Sequence, residues 1–226
     1  MMFKTKNYLK KAVPNTILET LRERRAISRE EKMIQKSLNS ANSLVQNKSN
    51  CNILKLEIGA GRKKGTNGWI TIDMNTECDM YWNLLNPLPF PENTADVIYS
   101  SHVMEHFYYD ELIALLNNCY KTLKPNGIFS ACVPDASIYI NAYVNSQELD
   151  PQKYCRYSPA FNYFSKIDLI NYIAYMDGHH KYMFDSENLV KMLEKVGFSN
   201  VQLRQFDSKI DKLERDYQSI YVKAIK

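Results

Sequence analysis

Four of the seven glycines, Gly59, Gly61, Gly65 and Gly68, fall within ten residues, directly after the apolar run Ile53 to Ile58. Glycine lacks a Cβ and tolerates positive φ, so such a cluster lets the backbone turn sharply and approach a ligand closely. A turn leaving the carboxyl end of a parallel strand is where open α/β sheets take nucleotides. Asp73, fourteen residues beyond Gly59, ends the next apolar run. Its carboxylate accepts two donors at once and so suits a sugar diol. Histidine is the second chemistry-bearing type. All four fall in two places, His102 and His106 on either side of Glu105, and the doublet His179-His180. Imidazole titrates closest to neutral pH, which makes these residues the candidates for taking a proton from a hydroxyl nucleophile.

Several chemistries are excluded. A dinucleotide fingerprint G-x-G-x-x-G fails because Lys64 stands in its third glycine position. The acid is also too early, since a ribose-binding acid in that fold sits about 20 residues on. A metal site built from the histidines with Asp135 matches no ligand spacing, and neighbours in an extended doublet point apart, so no metal is expected. Five cysteines (Cys51, Cys78, Cys119, Cys132, Cys155) without a C-x-x-C pair fit reduced, buried thiols rather than a disulfide framework or zinc site.

The stretch Leu54-Lys-Leu-Glu57-Ile-Gly59-Ala-Gly61 resembles the first motif of class I S-adenosylmethionine-dependent methyltransferases, an acid two residues before G-x-G. Gly68-Trp-Ile-Thr-Ile-Asp73 resembles the family's second strand ending in an acid, and Pro87 to His106 its fourth-strand region. Leu123-Lys-Pro-Asn-Gly127-Ile-Phe is similar to the turn into strand five. Four motifs in the right order are far more specific than any one of them. They cover about residues 53 to 135, with a looser match over 180 to 226.

The resemblance implies S-adenosyl-L-methionine as cofactor. Gly59, Ala60 and Gly61 would support its methionine part, and Asp73 would accept from both ribose hydroxyls. Glu57 would hold the loop or the cofactor's amino group, Asn83 and Leu84 would lie beside the adenine, and Ser101 joins the cofactor set at the end of strand four. Two departures stand out: Lys63 occupies the usual third glycine position, and only eleven residues, Arg62 to Ile72, separate Gly61 from Asp73. A crossover normally takes a dozen or more residues, so the first helix must shrink to a turn.

Methyl transfer from a sulfonium is an in-line displacement that chiefly requires alignment of the nucleophile. A hydroxyl acceptor also needs its proton removed, and the catalytic candidates are His106, His179 and His102. The strand-four motif, the compressed glycine loop and the late His180-Lys-Tyr-Met-Phe184 segment resemble a subset of the family associated with bacterial surface-polysaccharide synthesis. By analogy the acceptor is a glycan or related small molecule.

The elements that must position these residues follow the same pattern. Strands are expected at Ile53 to Ile58, Trp69 to Asp73, Asp79 to Trp82, Ala95 to Ser101, Gly127 to Val133, Val201 to Phe206 and Ser219 to Ile225. Leu112, Leu115, Leu116, Cys119, Tyr120 and Leu123 mark one helix face, and Leu189, Met192, Leu193 and Val196 another that Gly197 closes. The fold class is α/β: a Rossmann-like, seven-stranded, mostly parallel sheet with an antiparallel last strand, plus N-terminal helices and a helical insertion.

Residues 1–50 read as a basic helical arm, with one amphipathic segment through Ile17, Leu18 and Leu21 and a second starting at the Ser28 to Glu31 capping box. Ser40 to Asn52 reads as a linker, residues 51–226 as the methyltransferase domain, and residues 135–180, rich in tyrosine, as an inserted lid.

The arm holds eleven Lys and Arg against four Glu, or +7, leaving 18 against 21 for the rest. That charge keeps open a nucleic-acid methyltransferase or binder, and equally a contact with an anionic membrane surface. The arm's lack of interleaved aromatics speaks against nucleic acid. A non-catalytic binding module is the third reading, and intact Gly59, Gly61 and Asp73 argue against it. No run approaches the roughly 18 apolar residues of a membrane span, so a cytoplasmic protein is expected. Nothing in the sequence fixes the oligomeric state.

Overall fold

The computed structural model describes residues 15–46 and 53–226. Cys51, the first fourteen residues of the basic arm and the end of the expected linker lie outside them. Helix α1 (Asn15–Gln46) leads to strand β1 (Lys55–Ile58), followed by β2 (Trp69–Asp73), β3 (Met80–Tyr81) and β4 (Ala95–Ser101). Next come α2 (Tyr109–Thr122), β5 (Leu123–Pro134), α3 (Ala136–Val144), α4 (Pro151–Tyr154) and α5 (Ile167–Tyr175). The chain ends with α6 (Ser186–Val196), β6 (Ser199–Arg204) and β7 (Ser219–Ile225). The seven strands form one sheet in the order β3-β2-β1-β4-β5-β7-β6, with β1 to β5 parallel and β7 antiparallel to both its neighbours. This is the expected Rossmann-like sheet. No helix among the described residues is long and apolar enough to cross a membrane.

The core follows from the helical stripes. Leu112, Leu115, Leu116 and Cys119 of α2 and Leu189, Met192 and Leu193 of α6 are all buried in one cluster with Leu56, Ile58, Ile98 and Phe129 of the sheet. Asp185 caps α6 by accepting from Asn188 N–H, and Gly197 ends it at φ 111°. The strand expected from Gly127 begins at Leu123, which pairs with Ala95. A register shift then absorbs the turn residues before Val97 meets Ile128.

The arm differs from its expected two helices. One helix runs unbroken through Ser28, because no glycine or proline separates the segments and a cap residue flanked by good helix formers does not stop propagation. Its second half docks on the β3 edge: Ala41 is buried, and the Ser37 hydroxyl donates to the Tyr81 carbonyl (3.1 Å). Leu18, Leu21 and Ile27 in the first half are exposed.

Between β1 and β2 the chain has no helix. The Asp79 carboxylate takes the helix's place in satisfying the backbone, accepting from Gly65 N–H (2.9 Å), Thr71 N–H (3.0 Å) and the Thr71 hydroxyl (2.8 Å). Partial burial works against its charge, yet the donors from Thr71 and Gly65 and the Lys64 ammonium 3.6 Å away hold its pKa below the ordinary carboxylate range. Asp79→Ala strands donors on a buried residue, and urea unfolding followed by tryptophan fluorescence should show a loss of about 1–3 kcal/mol at pH 7. A depressed folded pKa contributes stability above the ordinary value, near pH 4, and loses it as pH falls through the folded value. The gap between wild type and variant should therefore narrow toward pH 2.

Candidate active site

At the end of β1 the chain turns back on itself. Gly59 N–H donates to the Ile72 carbonyl (2.8 Å), and Gly61 N–H donates to Asp73 Oδ2 (3.0 Å), so the turn is tied to the carboxyl end of β2. Both glycines have positive φ, 65° and 72°. A Cβ at Gly59 would lie 2.2 Å from Val103, whereas one at Gly61 would have nothing within 4 Å. The first glycine therefore serves packing, and the second presents bare backbone to open space. The Cys78 thiol donates to the Gly61 carbonyl (2.8 Å) and pins the far side of the turn.

Lys63, the departure from the third glycine, has a partner. Its ammonium lies 2.6 Å from the buried Glu57 carboxylate. The acid that precedes the turn is thereby committed to holding the loop.

The turn opens on a cavity of about 570 Å³. Glu57, Gly59, Ala60, Gly61 and Asp73 form one end, with Asn83, Leu84, Ser101, His102 and His106 also on its wall. Met74, Trp82, Val103 and Phe107 add apolar surface that sequence reasoning missed, because apolar residues within or beside a motif carry no sign of which way they face. Two cations also missed, Lys212 and Arg215, arrive on the loop between β6 and β7. That loop is anchored by Asp211, whose carboxylate accepts from Arg204 Nη1 (2.5 Å) and Nη2 (2.8 Å) and from the Tyr99 hydroxyl (2.8 Å). Arg215 in turn donates to the Ser101 carbonyl (3.0 Å) and hydroxyl (3.2 Å). A bare peptide turn, a carboxylate beside it, apolar walls and two cations are the donor set that an adenosine ligand with an amino-acid tail requires.

Beyond β4 the chain passes through His102 at φ 53° into a short 3₁₀ turn, Met104–His106. Glu105 points inward and is 2% exposed. Around it stand three imidazoles. His102 Nδ1 is 3.7 Å and His106 Nε2 3.9 Å from Glu105 Oε1, and the His106 and His180 rings meet edge to face at 5.3 Å. Burial dominates their chemistry: it pushes Glu105 up to about 8, His102 down to about 3 and His180 down to about 4, and lowers His106 as well.

Of the expected catalytic candidates, the structure brings His102 and His106 to the cavity wall but leaves His179 outside. The His179 ring is exposed and packs edge-on against Tyr157. The doublet's side chains diverge, so it is His180 that turns inward, and His179 reaches the site only through its carbonyl, which His106 Nδ1 contacts at 2.9 Å. Asp135 is likewise apart. It caps α3, accepting from Ser137 N–H (2.9 Å) and the Ser137 hydroxyl (2.6 Å). Nothing from α3, α4 or α5 lines the cavity. These helices bury Tyr139, Leu169, Tyr172 and Ile173 in a small core of their own.

The fold and cavity can be set beside known proteins. No curated protein sequence matches the chain. Among solved structures, a SAM-dependent methyltransferase from Archaeoglobus fulgidus aligns with 89% of this chain and 99% of its own, at 19% identity and a TM-score of 0.47. One from Mesorhizobium loti aligns with 77% and 91%, at 14% identity and 0.49. The Burkholderia thailandensis 1,6-didemethyltoxoflavin-N1-methyltransferase aligns with 95% and 91%, at 15% identity and 0.49. The family model described as "Methyltransferase domain" matches residues 20–203, which is most of the chain and includes the glycine turn, Asp73 and the histidine cluster. The chain therefore belongs to the methyltransferase domain family and is an S-adenosylmethionine-dependent methyltransferase.

Proposed function

We propose that the protein methylates a hydroxyl oxygen of a saccharide or related small metabolite. The observation that carries this reading is that a single cavity holds the Gly61 and Asp73 end and the imidazoles of His102 and His106. S-adenosylmethionine, when bound, supplies an electrophilic methyl group on sulfur. Asp73 would hold the ribose hydroxyls, with Gly61 N–H fixing one of its oxygens in place. Leu84 and Met74 would flank the adenine, Asn83 would pair with its edge, and Lys212 and Arg215 would face the amino-acid tail.

A hydroxyl is a poor nucleophile until its proton leaves, and that demand sets the other end of the site. Burial keeps His102 and His106 uncharged near neutral pH, so each offers a lone pair there. A saccharide acceptor is supported by the sequence resemblance to polysaccharide-associated methyltransferases.

Calorimetry with S-adenosylhomocysteine tests the cofactor end. Asp73→Ala should weaken binding at least about tenfold, roughly 1.4 kcal/mol, and undiminished affinity would remove Asp73 from the ribose site. For the acceptor end, methyl-labelled cofactor is incubated with glycan and amine acceptors and the products are read by mass spectrometry. Label on a sugar oxygen is expected, and label confined to nitrogen would overturn the proposal. His106→Ala should lower the rate about 10²- to 10⁴-fold while homocysteine-product affinity holds, and an unchanged rate would exclude His106 from the chemistry.

A further inference from the structure

The proton positions around Glu105 can be read from their partners. His106 Nδ1 lies 2.9 Å from the His179 carbonyl and His180 Nδ1 2.8 Å from the Ile173 carbonyl. A carbonyl only accepts, so both nitrogens carry the ring proton and donate, which leaves Nε2 of each ring as a bare lone pair. The Ser219 hydroxyl gives its proton to the Arg215 carbonyl (2.7 Å), so His102 Nε2, 2.8 Å from that hydroxyl, is also a donor and its Nδ1 is bare. Ligand atoms of Glu105, His106 and His180 all lie within 4.8 Å of one another. Glu105 Oε2 is buried and has no hydrogen-bond partner among the described residues. The unpartnered Glu105 Oε2 and the bare nitrogens of two rings thus share one buried space, where a cation would take the place of the proton that burial favours on the Glu105 carboxyl.

We propose that Glu105, His106 and His180 bind one divalent transition-metal ion, with an open position on the cavity side of His106 that takes the acceptor's hydroxyl oxygen. Two imidazoles and a carboxylate, with a fourth position left for water or substrate, form a catalytic zinc ligand set, and the same trio serves other first-row ions. Imidazole nitrogen disfavours Mg²⁺ and Ca²⁺. The His179 and Ile173 carbonyls fix the tautomer and orientation of each ring, as the outer partners of metal-bound histidines do. Bonds of about 2.0–2.1 Å put tetrahedral ligand atoms roughly 3.4 Å apart. The 3.9 Å between His106 Nε2 and Glu105 Oε1 closes to that with a small rotation of the His106 ring, whose side chain is 44% exposed. Of the three ligands only His106 lines the cavity, so an ion held among them would lie behind the cavity wall and meet the acceptor on the His106 side. A hydroxyl ligated there would release its proton to water, and its oxygen's electron pair would form the new bond to the methyl carbon as the carbon–sulfur bond breaks and its pair stays on the sulfur of the departing S-adenosylhomocysteine. The ion's part in the reaction rests on the O-methyl transfer proposed above, with ligation of the hydroxyl replacing proton abstraction by His106, whereas the site stands on geometry alone.

The test separates the two. Full-length protein stripped with a chelator is titrated calorimetrically with Zn²⁺, Mn²⁺ and Mg²⁺ in the absence of any acceptor, and Co²⁺ binding is followed by its visible absorption. One Zn²⁺ per chain is expected, with Mg²⁺ far weaker. His106→Gln, at a half-exposed position, and Glu105→Gln, which preserves size, should each weaken Zn²⁺ about 100-fold or more and alter the Co²⁺ spectrum. Circular dichroism and S-adenosylhomocysteine affinity certify the fold of each variant. Absence of a stoichiometric ion, or an ion indifferent to both substitutions in folded protein, overturns the site. With a hydroxyl acceptor in hand, transfer that is lost on chelation and restored by Zn²⁺ or Mn²⁺ supports the ion's role, and transfer indifferent to chelation overturns that role alone.

Discussion

Neighbouring parallel strands must be joined by a segment that crosses the whole length of the sheet, and between β1 and β2 that segment carries no helix to satisfy its own backbone. Asp79 resolves the difficulty. One of its oxygens gathers donors from Gly65 and Thr71, on the loop and on β2. Lys63 then reaches back to Glu57, and Gly61 is tied to Asp73. The turn is thus held at both ends without a helix N-terminus beneath it, and the space in front of Gly61 stays open.

The other end of the cavity depends on the opposite property of polar groups. Around Glu105 the low dielectric disfavours charge on every titratable group, so burial shifts the carboxyl upward and the histidines downward. Each histidine is fixed by one hydrogen bond, to a carbonyl or to a hydroxyl whose proton is engaged elsewhere, and the free nitrogens are left converging. A site that fixes orientation by backbone carbonyls and leaves lone pairs unspent is prepared for an electrophile, whether a proton or a cation.

The insertion contributes to this site without covering it. Its tyrosines are divided between a private core, where Tyr139 and Tyr172 are buried, and an exposed set. Its functional gift comes from its last residues, where the His179 carbonyl orients His106 and the His180 ring closes the cluster.

The sequence by itself determined the sheet, the glycine turn and the acid ending β2, because each rests on local rules: apolar periodicity, positive φ and a carboxylate at a strand's end. It also named His102 and His106, which follow a readable strand. Tertiary structure decided everything that depends on where distant segments meet. It chose His180 over His179, since a doublet's two rings diverge and only the packing of α5 says which turns inward. It gave Lys63 a partner in Glu57, made α1 one helix where a cap signal read as two, and brought Lys212 and Arg215 to the cavity from a loop with no motif. Above all it buried Glu105, an ordinary acid in the sequence, among three rings, two of which come from residues beside it and one from 75 positions along the chain. Burial is a property of the assembled core, and no spacing between residues encodes it.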